Sequence, residues 1–322
     1  AFNVKVNRRF SKAVNGFAGE MTEDEALALS EDPRVRFVEE DQVVSLNATQ
    51  TGATWGLDRI DQRNRPLSGT YTYTTTASTV YAYVIDTGIY TSHSQFGGRA
   101  SNVYDALGGS GADCHGHGTH VAGTIGSSTY GVAKAVRLRG VRVLDCAGSG
   151  STSGIIAAVD WVRVNRTNPA VANLSLGGGY SSTLNTAINN LANSGVFVAV
   201  AAGNENQNAC NVSPASAASA TTVASSTSSD AKSSFSNYGS CVDLYAPGSS
   251  ITSTWLNGGT NTISGTSMAS PHVAGVAALY KATYGNAATS TIDSWIKTNA
   301  TANVITGNPS GTPNRLLYKA AL

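Results

Sequence analysis

The chain has 322 residues, of which 41% are hydrophobic and only 13% charged, and its formal net charge is +1. This length and composition suit one large domain plus a small appendage, with a sizeable apolar core. So weak a charge argues against nucleic acid and acidic membrane surfaces as partners. No apolar run approaches the roughly 18 residues of a membrane-spanning helix. We therefore expect a globular protein that binds neither nucleic acid nor membranes.

Composition divides the chain near residue 47. Residues 1–47 are crowded with acidic and basic side chains, whereas charge is sparse over 48–322. We therefore predict two units with this boundary, the first of them too small to hold a firm core alone. The chain opens without an initiator Met and without the layout of a signal peptide, and we interpret it as the inside of a longer precursor.

Local patterns predict a small α+β arrangement for the first unit. Thr22 followed by Glu25 is a capping box, which predicts a short helix that ends at Ser30 after an initial strand. Alternation of side chains over 34–38 predicts a second strand. Residues 43–47 are expected to form an extended tail.

A group of polar side chains opens the second unit. On a helix, Asp58, Asp61 and Gln62 lie at positions i, i+3 and i+4, so their side-chain oxygens would share one face. Such oxygens suit a hard cation such as Ca²⁺. An ordinary solvated acidic turn is the alternative, and these residues alone leave the choice open.

The first apolar strand of the second unit ends in a carboxylate. Residues 80–85 form a continuous apolar run, which is typical of a buried parallel strand, and Asp86 follows it directly. Sheets of α/β proteins carry their sites at the carboxyl ends of the strands, and a charge placed there needs partners. Asp86 is therefore a candidate functional residue.

Three histidines follow within six residues, His115, His117 and His120. Glycines on both sides of His117 leave its ring accessible, whereas His120 lies beside Val121 and Ala122 and is expected to pack inward. A single histidine in such a position is usually structural, and zinc ligation is a competing use of the cluster. The grouping favours a functional role for His117.

The next segments alternate between strands and helices with short joins. The alternation predicts an α/β fold with a doubly wound, mainly parallel sheet and helices on both faces. The expected strands are 136–143, 170–176 and 196–202, and the expected helices are 154–164, 182–193 and 291–299.

Short segments after two of these strands are poor in side chains. They offer edges that suit pairing with an extended peptide, although glycine runs are more often plain turns. The edge residues are Gly148, Ser149 and Gly150 in one segment, and Ser175, Leu176, Gly177 and Gly178 in the other. Asn204 also follows a strand, where its amide N–H could point into a site.

One serine stands at the start of a long run of small residues. A glycine-containing turn delivers Ser267 to a helix that we expect to reach about Tyr284, and so to the positive end of the helix dipole. Helix capping is the commoner explanation of a serine there. A nucleophile would need a base, an orienting acid and an oxyanion site from elsewhere in the chain.

The four cysteines, Cys114, Cys146, Cys210 and Cys241, include no CxxC pair. In a chain rich in Ser, Thr, Asn and Gly they favour disulfides and an oxidising compartment over a metal site or four reduced thiols. The sequence allows three pairings. We favour Cys114 with Cys146 and Cys210 with Cys241, because each closes a local loop.

Four motifs of this chain together resemble a known family. They are Val84-Ile85-Asp86-Thr87-Gly88, Gly116-His117-Gly118-Thr119-His120, Ala201-Ala202-Gly203-Asn204 and Gly265-Thr266-Ser267-Met268-Ala269. In this order they resemble the subtilisin-like serine peptidases, or subtilases, and within them the proteinase K branch. Residues 55–62 and the cysteine positions are most similar to secreted bacterial enzymes of the aqualysin type. The resemblance extends from about residue 48 to the end of the chain.

The resemblance implies a secreted serine endopeptidase of broad specificity that acts through an acyl-enzyme. Ser267 would be the nucleophile, His117 the general base and acid, and Asp86 the carboxylate that orients His117. Asn204 would donate to the oxyanion beside the N–H of Ser267. The two side-chain-poor segments would hold the substrate, a protein or peptide, as an added strand.

The resemblance also implies an intramolecular partner and a cofactor. Residues 1–47 are similar to the C-terminal part of the family's inhibitor-type propeptide, and self-cleavage is expected between Asn47 and Ala48. The enzyme is expected to be a monomer with structural Ca²⁺. One implied calcium site consists of Asp58, Asp61, Gln62 and Ser68, and another of Asp243 with the backbone carbonyls of Ala218 and Ala220.

His115 departs from the family pattern, in which relatives usually carry a small polar residue such as Asn. Its imidazole either perturbs the titration of His117 or is simply solvated. Two other functions compete with the protease. An inactive relative that serves as a binding module is disfavoured by the intact Asp, His, Asn and Ser motifs. A zinc hydrolase is disfavoured because the histidine spacings do not match a helical i, i+4 ligand pair.

Overall fold

The structure, a computed structural model, describes residues 4–41 and 48–322. The chain divides into two compact units, Ala1–Leu46 and Asn47–Leu322, next to the boundary that composition predicts. Among the helices of the described ranges, none has the length and apolar character required to cross a membrane.

The secondary structure of these ranges comprises the following elements, in chain order. The strands are β1 (Lys5–Phe10), β2 (Gly16–Glu20), β3 (Ala48–Thr51), β4 (Thr70–Tyr73), β5 (Tyr81–Asp86), β6 (Ala100–Asp105), β7 (Arg137–Arg142), β8 (Ala170–Leu174), β9 (Gly178–Gly179), β10 (Phe197–Ala201), β11 (Val212–Ser213), β12 (Thr221–Ser226), β13 (Leu244–Pro247), β14 (Ile251–Thr254), β15 (Thr260–Ile263), β16 (Thr301–Ala302) and β17 (Arg315–Leu316). The helices are α1 (Glu23–Ser30), α2 (Trp55–Asp61), α3 (His117–Gly126), α4 (Thr152–Asn165), α5 (Ser182–Asn193), α6 (Thr266–Tyr284) and α7 (Thr289–Asn299).

The first unit is a β-hairpin followed by a helix. β1 and β2 pair antiparallel, and α1 begins with the predicted capping box. The hydroxyl of Thr22 accepts a hydrogen bond from the N–H of Glu25, whose carboxylate accepts one in return from the N–H of Thr22 at 2.8 Å. Over residues 4–41 only Leu29 is buried, while Phe10 and Phe17 are exposed. This agrees with a unit that lacks a firm core of its own.

The strand predicted over 34–38 is wrong. Asp32 accepts hydrogen bonds from the N–H and the guanidinium of Arg34 and so closes a local turn, and the chain that follows is irregular. An alternating segment becomes a strand only when a neighbour supplies hydrogen bonds, and here β1 and β2 satisfy one another. The tail predicted over 43–47 lies outside the described residues.

A nine-stranded sheet organises the second unit. Its strand order is β16-β17-β13-β12-β10-β8-β5-β7-β6, and all neighbouring strands are parallel except β16 and β17. This is the doubly wound, mainly parallel sheet that the alternation of elements predicts. The predicted strands and helices of this unit recur with ends shifted by no more than two residues.

Helices cover both faces of this sheet. Along β5, Ala82 and Val84 join the apolar cluster that contains side chains of α3 and α6, whereas Tyr83 and Ile85 join the cluster that contains side chains of α4 and α5. Successive side chains of a strand point to opposite faces. Residues 82–85 of β5 are therefore all apolar because both faces of the strand are buried.

β5 is an inner strand of the sheet, and later parts of the chain form strands on both sides of it. β7 lies on one side of it and β8 on the other. The connection after β5 leads to β6, beyond β7, whereas the connection after β8 leads toward β10 on the opposite side, so the connections after β5 and β8 diverge and leave a crevice at the carboxyl ends of these two strands. Asp86, the last residue of β5, is at this crevice.

Candidate active site

Asp86 and His117 form a hydrogen-bonded pair. Asp86 is fully buried, and its Oδ1 lies 2.7 Å from Nδ1 of His117, the first residue of α3. The N–H of Thr87 donates to the same oxygen at 2.7 Å. Because a carboxylate oxygen accepts, Nδ1 of His117 carries the proton, and in the neutral ring Nε2 is left as an acceptor.

The surroundings of His117 favour its protonated form. Burial lowers the pKa of His117, but the charge and hydrogen bond of Asp86, helped by the carboxylate of Asp113, outweigh burial and raise the pKa above its ordinary value. Burial without such a partner lowers the pKa of His120 and of His272 to about 4. Of these three histidines, only His117 has a pKa that allows it to take up a proton near neutral pH.

Glycines bring the start of α3 close to the loop after β5. A Cβ added at Gly118 would lie 2.2 Å from the backbone oxygen of Gly88 and 3.2 Å from Oδ1 of Asp86. Gly116 has φ of +104°, and a Cβ there would overlap the ring of Trp255. The glycines next to the histidine are thus required by the close approach of two backbones and by a left-handed conformation.

Asp113 connects the same two segments, although the sequence assigned it no role. Its Oδ1 accepts hydrogen bonds from the hydroxyl of Thr87 and the N–H of Gly116, both at 2.9 Å, and its Oδ2 accepts one from the N–H of Thr119. The residue is only 7% exposed. An Asp three residues before a glycine-rich helix start is a pattern that could have indicated this capping role.

Ser267, the second residue of α6, lies beside Ser175. The hydroxyl of Ser267 donates to the backbone oxygen of Ser175 at 3.2 Å, and the hydroxyl of Ser175 donates to the backbone oxygen of Ser267 at 2.7 Å. Ser175 and His117 line one cleft, so β8, α3 and α6 all contribute to this region. The Ser267 hydroxyl must rotate away from Ser175 before it can donate to another group.

The side-chain amide of Asn204 is oriented by Thr266, the residue before Ser267. Both the N–H and the hydroxyl of Thr266 donate to Oδ1 of Asn204, at 2.8 and 2.9 Å. An atom that faces two donors is the oxygen of the amide. The NH₂ group of Asn204 is therefore directed away from Thr266.

Asn237 holds the loop that carries Asn204. Its buried side chain donates from Nδ2 to the backbone oxygen of Ala202 and to Oε2 of Glu205, both at 2.8 Å. Its Oδ1 accepts from the N–H groups of Glu205 and Gln207. The hydrogen bonds of this one side chain therefore fix the backbone on both sides of Asn204.

A cleft of about 490 Å³ extends past His117. Both segments predicted as peptide-binding edges line it, Gly148–Gly150 and Ser175–Gly179, together with the apolar side chains of Leu144, Ile155 and Leu184. β9 already pairs with β11 at Gly178 and Gly179. Ser175–Gly177 precede this pairing and are outside any strand.

Two disulfides join the cysteines in the predicted pairs, Cys114 to Cys146 and Cys210 to Cys241. The first connects the segment before α3 to the segment after β7. The disulfide therefore holds the segment of His115 next to the segment of Gly148, and both of these residues line the cleft.

The histidines do not converge as ligands of one metal ion. His120 is buried, as predicted, and its Nε2 donates to the backbone oxygen of Ile251 at 3.0 Å. His115 lines the cleft, and its Nδ1 accepts from the N–H of His117 at 3.3 Å. Within 4–41 and 48–322, no three His, Cys, Asp or Glu side chains are arranged to hold a metal.

Comparison with known proteins identifies the family. The sequence profile described as the subtilase family matches residues 78–316, most of the chain. The chain belongs to the subtilase family. A second profile, peptidase inhibitor I9, matches residues 2–47, so the first unit of this subtilase is an inhibitor-type propeptide region, as the sequence resemblance implies.

Individual relatives agree with this assignment. The subtilase is 55% identical over 318 residues to an extracellular serine proteinase of Thermus sp. (strain Rt41A), with 98% of this chain and 78% of that protein covered. It is 50% identical over 329 residues to a cuticle-degrading protease of Metarhizium anisopliae, with coverage of 100% and 84%. A crystal structure of a cold adapted subtilisin-like serine proteinase has a TM-score of 0.83 and 54% identity, over 84% of this chain and 100% of that one. The chain is a secreted serine protease, as predicted.

The first set of expected calcium ligands of the subtilase converges in part. Oδ1 of Asp58 accepts hydrogen bonds from the N–H and hydroxyl of Ser68, and Oε1 of Gln62 accepts from the same N–H. Gln62 lies beyond the end of α2 in an extended conformation, so the prediction of one shared helical face is wrong for it. Asp61 is engaged elsewhere, with Nζ of Lys319 at 2.9 Å from its Oδ1. Asp58, Gln62 and Ser68 are therefore neighbours, whereas Asp61 faces an ammonium group.

In the second set, Asp243 with the backbone carbonyls of Ala218 and Ala220, the carboxylate faces a lysine. Nζ of Lys297 lies 2.6 Å from Oδ1 of Asp243, and Oδ2 of Asp243 accepts from the N–H of Thr222 at 2.8 Å. A calcium ion would need these oxygens and would be repelled by the ammonium group. A lysine that is distant in sequence already neutralises this carboxylate.

Proposed function

We propose that this subtilase is an endopeptidase that hydrolyses peptide bonds of proteins through a Ser-His-Asp triad and an acyl-enzyme. The Asp86–His117 hydrogen bond carries the proposal, because His117 lines the same cleft as Ser175, whose backbone oxygen accepts a hydrogen bond from the hydroxyl of Ser267. Ser267 is the nucleophile, because a serine hydroxyl becomes reactive when a histidine accepts its proton. His117 is that base, and Asp86 holds its tautomer.

The reaction proceeds in two halves. His117 accepts the hydroxyl proton on Nε2 as Oγ of Ser267 attacks the carbonyl carbon, and Asp86 stabilises the imidazolium. His117 then protonates the leaving amine, the C–N bond breaks, and an ester remains on Ser267. In the second half His117 deprotonates a water molecule, which attacks the ester and releases the carboxylic acid and the free serine. Asn204 and the N–H of Ser267 donate to the oxyanion in both halves.

Substrates bind as extended peptides, and specificity is broad. The segments Gly148–Gly150 and Ser175–Gly177, which are poor in side chains, both line the cleft, and recognition through the main chain is independent of the substrate's side chains. The apolar walls of Leu144, Ile155 and Leu184 favour apolar side chains without a charged partner that would select one residue type. The partners of the enzyme are thus proteins and peptides.

Active-site labelling tests this function. A serine-directed phosphonate should attach to Ser267, as located by peptide mass spectrometry, and should abolish casein hydrolysis in proportion to labelling. A catalytically inactive binding module would neither take up the reagent nor hydrolyse casein. A zinc hydrolase would lose its activity to a zinc chelator and keep it in the phosphonate.

We also propose that the chain is a precursor that cuts itself after Asn47, and that its first unit inhibits the enzyme until it is removed. The inhibitor I9 match over 2–47 supports this. Asn47 lies outside the described residues, and Ala48 opens β3. Mass spectrometry of active protein should find Ala48 at the N-terminus, whereas Ser267→Ala protein from the same host should remain uncut. Cleavage at another bond, or equal cleavage of both proteins, contradicts the proposal.

Asn204→Ala should lower kcat by about 10²–10³ and leave KM nearly unchanged. The reason is that the amide, turned away from Thr266, donates most strongly to the charge that develops in the transition state. Steady-state hydrolysis of a chromogenic peptide amide measures both constants. Asn165→Ala, at the exposed end of α4, is the matched control and should keep full activity. A raised KM with unchanged kcat would refute the oxyanion role.

One structural Ca²⁺ is proposed at the first of the two expected sites. Oδ1 of Asp58 and Oε1 of Gln62 both accept a hydrogen bond from the N–H of Ser68, and the hydroxyl of Ser68 donates to the same Oδ1. Three oxygens of the kind that Ca²⁺ prefers therefore lie close together. An ion there would link the end of α2 to the segment that leads into β4. It would act on stability, with no part in the chemistry of the triad.

A further inference from the structure

Lys297 lies between two carboxylates. Its Nζ is 2.6 Å from Oδ1 of Asp243 and 2.7 Å from Oδ2 of Asp293, and the three side chains are only 22–26% exposed. The remaining carboxylate oxygens are also held, because the hydroxyl of Thr221 donates to Oδ1 of Asp293 and the N–H of Thr222 donates to Oδ2 of Asp243. Each carboxylate therefore has one oxygen on the sheet and one on the ammonium group.

This cluster joins three elements of the fold. Thr221 and Thr222 begin β12, Asp243 directly precedes β13, and Asp293 and Lys297 are one turn apart on α7. The i, i+4 spacing puts the two α7 side chains on the same face of the helix. The ammonium group thus links α7 to the amino ends of two neighbouring strands of the central sheet.

Two partly buried carboxylates that share a site repel one another unless a cation lies between them. Burial raises the pKa of the Asp243 carboxyl, and the hydrogen bond and charge of Lys297 oppose that rise. Burial lowers the pKa of Lys297, but its bonds to Asp243 and Asp293 outweigh burial and raise the pKa. The ammonium group lies between the two carboxylates, 2.6 and 2.7 Å from their oxygens, and so supplies the cation that they require.

We propose that Lys297 is a tethered cation that takes the place of a metal ion at Asp243, so that this chain binds no calcium there and holds α7 to the sheet without it. A calcium ion would gather about six to eight oxygens at roughly 2.3–2.6 Å, whereas the lysine supplies its charge from within the chain. The inference concerns stability and stands independently of the proposed hydrolytic chemistry.

Removal of the lysine should restore a metal requirement. Lys297→Ala leaves two carboxylates facing a space of about the size of the lost side chain. In excess chelator its Tm should fall by roughly 5–10 °C below that of the parent, since one partner of a charge cluster has been deleted. Excess calcium should recover most of this loss, and the variant should bind one more calcium ion per chain than the parent.

The experiment uses the mature enzyme inhibited by a serine-directed phosphonate, so that self-digestion does not obscure unfolding. Tm is measured by calorimetry in calcium and in chelator, and bound ions are counted by equilibrium dialysis. Arg163→Ala, which removes an exposed ion pair to Asp160 on α4, is the matched control and should behave as the parent. Calcium at the Asp58 site contributes equally to every variant and cancels in the comparison.

A Lys297→Ala protein that binds no additional calcium, or whose Tm does not recover in calcium, overturns the proposal. A second variant keeps it testable even if Lys297→Ala fails to fold. In Asp243→Asn the number of bound ions and the chelator-induced shift in Tm should equal those of the parent. Loss of one bound ion in Asp243→Asn would show that the parent uses Asp243 as a calcium ligand.

Discussion

Ser267→Ala is expected to lower kcat by about 10⁶ and to change KM for a short peptide amide only slightly. The substitution removes the oxygen that forms the acyl-enzyme, while the cleft lined by Gly148–Gly150 and Ser175–Gly177 remains. The loss of the Ser267 hydroxyl also removes its 3.2 Å hydrogen bond to Ser175, which is weak and partly exposed and therefore affects folding little. Hydrolysis of a peptide p-nitroanilide under steady-state conditions measures both constants.

Ser264→Ala is the matched control for Ser267→Ala. Ser264 is exposed in the turn before α6, and its hydroxyl accepts a hydrogen bond from the N–H of Ser250, so kcat should stay at the parent value. Activity of Ser267→Ala within tenfold of the parent, in a preparation that a serine-directed phosphonate does not inhibit further, would remove Ser267 as the nucleophile. A low residual rate above that of water is expected from Asn204 and from substrate binding.

Asp86→Asn is expected to lower kcat by about 10⁴. Oδ1 of Asp86 accepts from the N–H groups of both Thr87 and the His117 ring. In an amide one of the two carboxylate oxygens is replaced by an NH₂ group, which can take the position of Oδ1 and then faces the His117 ring. If the NH₂ group donates to Nδ1 of His117, the ring proton moves to Nε2, and that nitrogen can no longer accept the proton of Ser267. The base is then held in the wrong tautomer.

The pH profile of Asp86→Asn separates this role from a merely structural one. Asp86 raises the pKa of His117, so loss of its charge should lower that pKa. The acidic limb of kcat/KM follows deprotonation of the base and should therefore move to lower pH. Asp160→Asn, on the exposed face of α4, is the control and should leave the limb in place. A large loss of kcat without any shift of the limb would contradict a direct interaction with His117.

Local features of this protein followed from the sequence because their causes are local. The capping box of Thr22 and Glu25 uses groups three residues apart, and the continuous apolar run before Asp86 follows from burial of both faces of β5. Alternation of strands and helices was enough to predict a parallel sheet, since the crossover connections leave few alternatives. The four motifs identified the family by resemblance, and each of their key residues stands at a strand end or a helix start.

Other predictions failed or were missing because they depend on partners that are remote in sequence. Residues 34–38 lack a strand partner in the described ranges, and Lys297 reaches Asp243 from another helix. Asn237 received no role from the sequence, although its hydrogen bonds fix the loop of Asn204 from more than 30 residues away. No spacing rule reveals such contacts, since folding alone decides which polar groups meet.

The sequence by itself therefore determined the doubly wound sheet and, through the resemblance, the residues proposed for catalysis, because these depend on periodicity and motif order. It favoured the observed pairing of the cysteines because each pair closes a local loop. Only the tertiary structure decided how those residues are held and neutralised. In the structure Asp113 connects the segment after Asp86 to the segment before His117, and Thr266 orients the amide of Asn204 by a hydrogen bond. A lysine lies at Asp243, where a metal ion was expected. The reason is that charges and hydrogen-bonding groups inside a protein interact according to their distance in space.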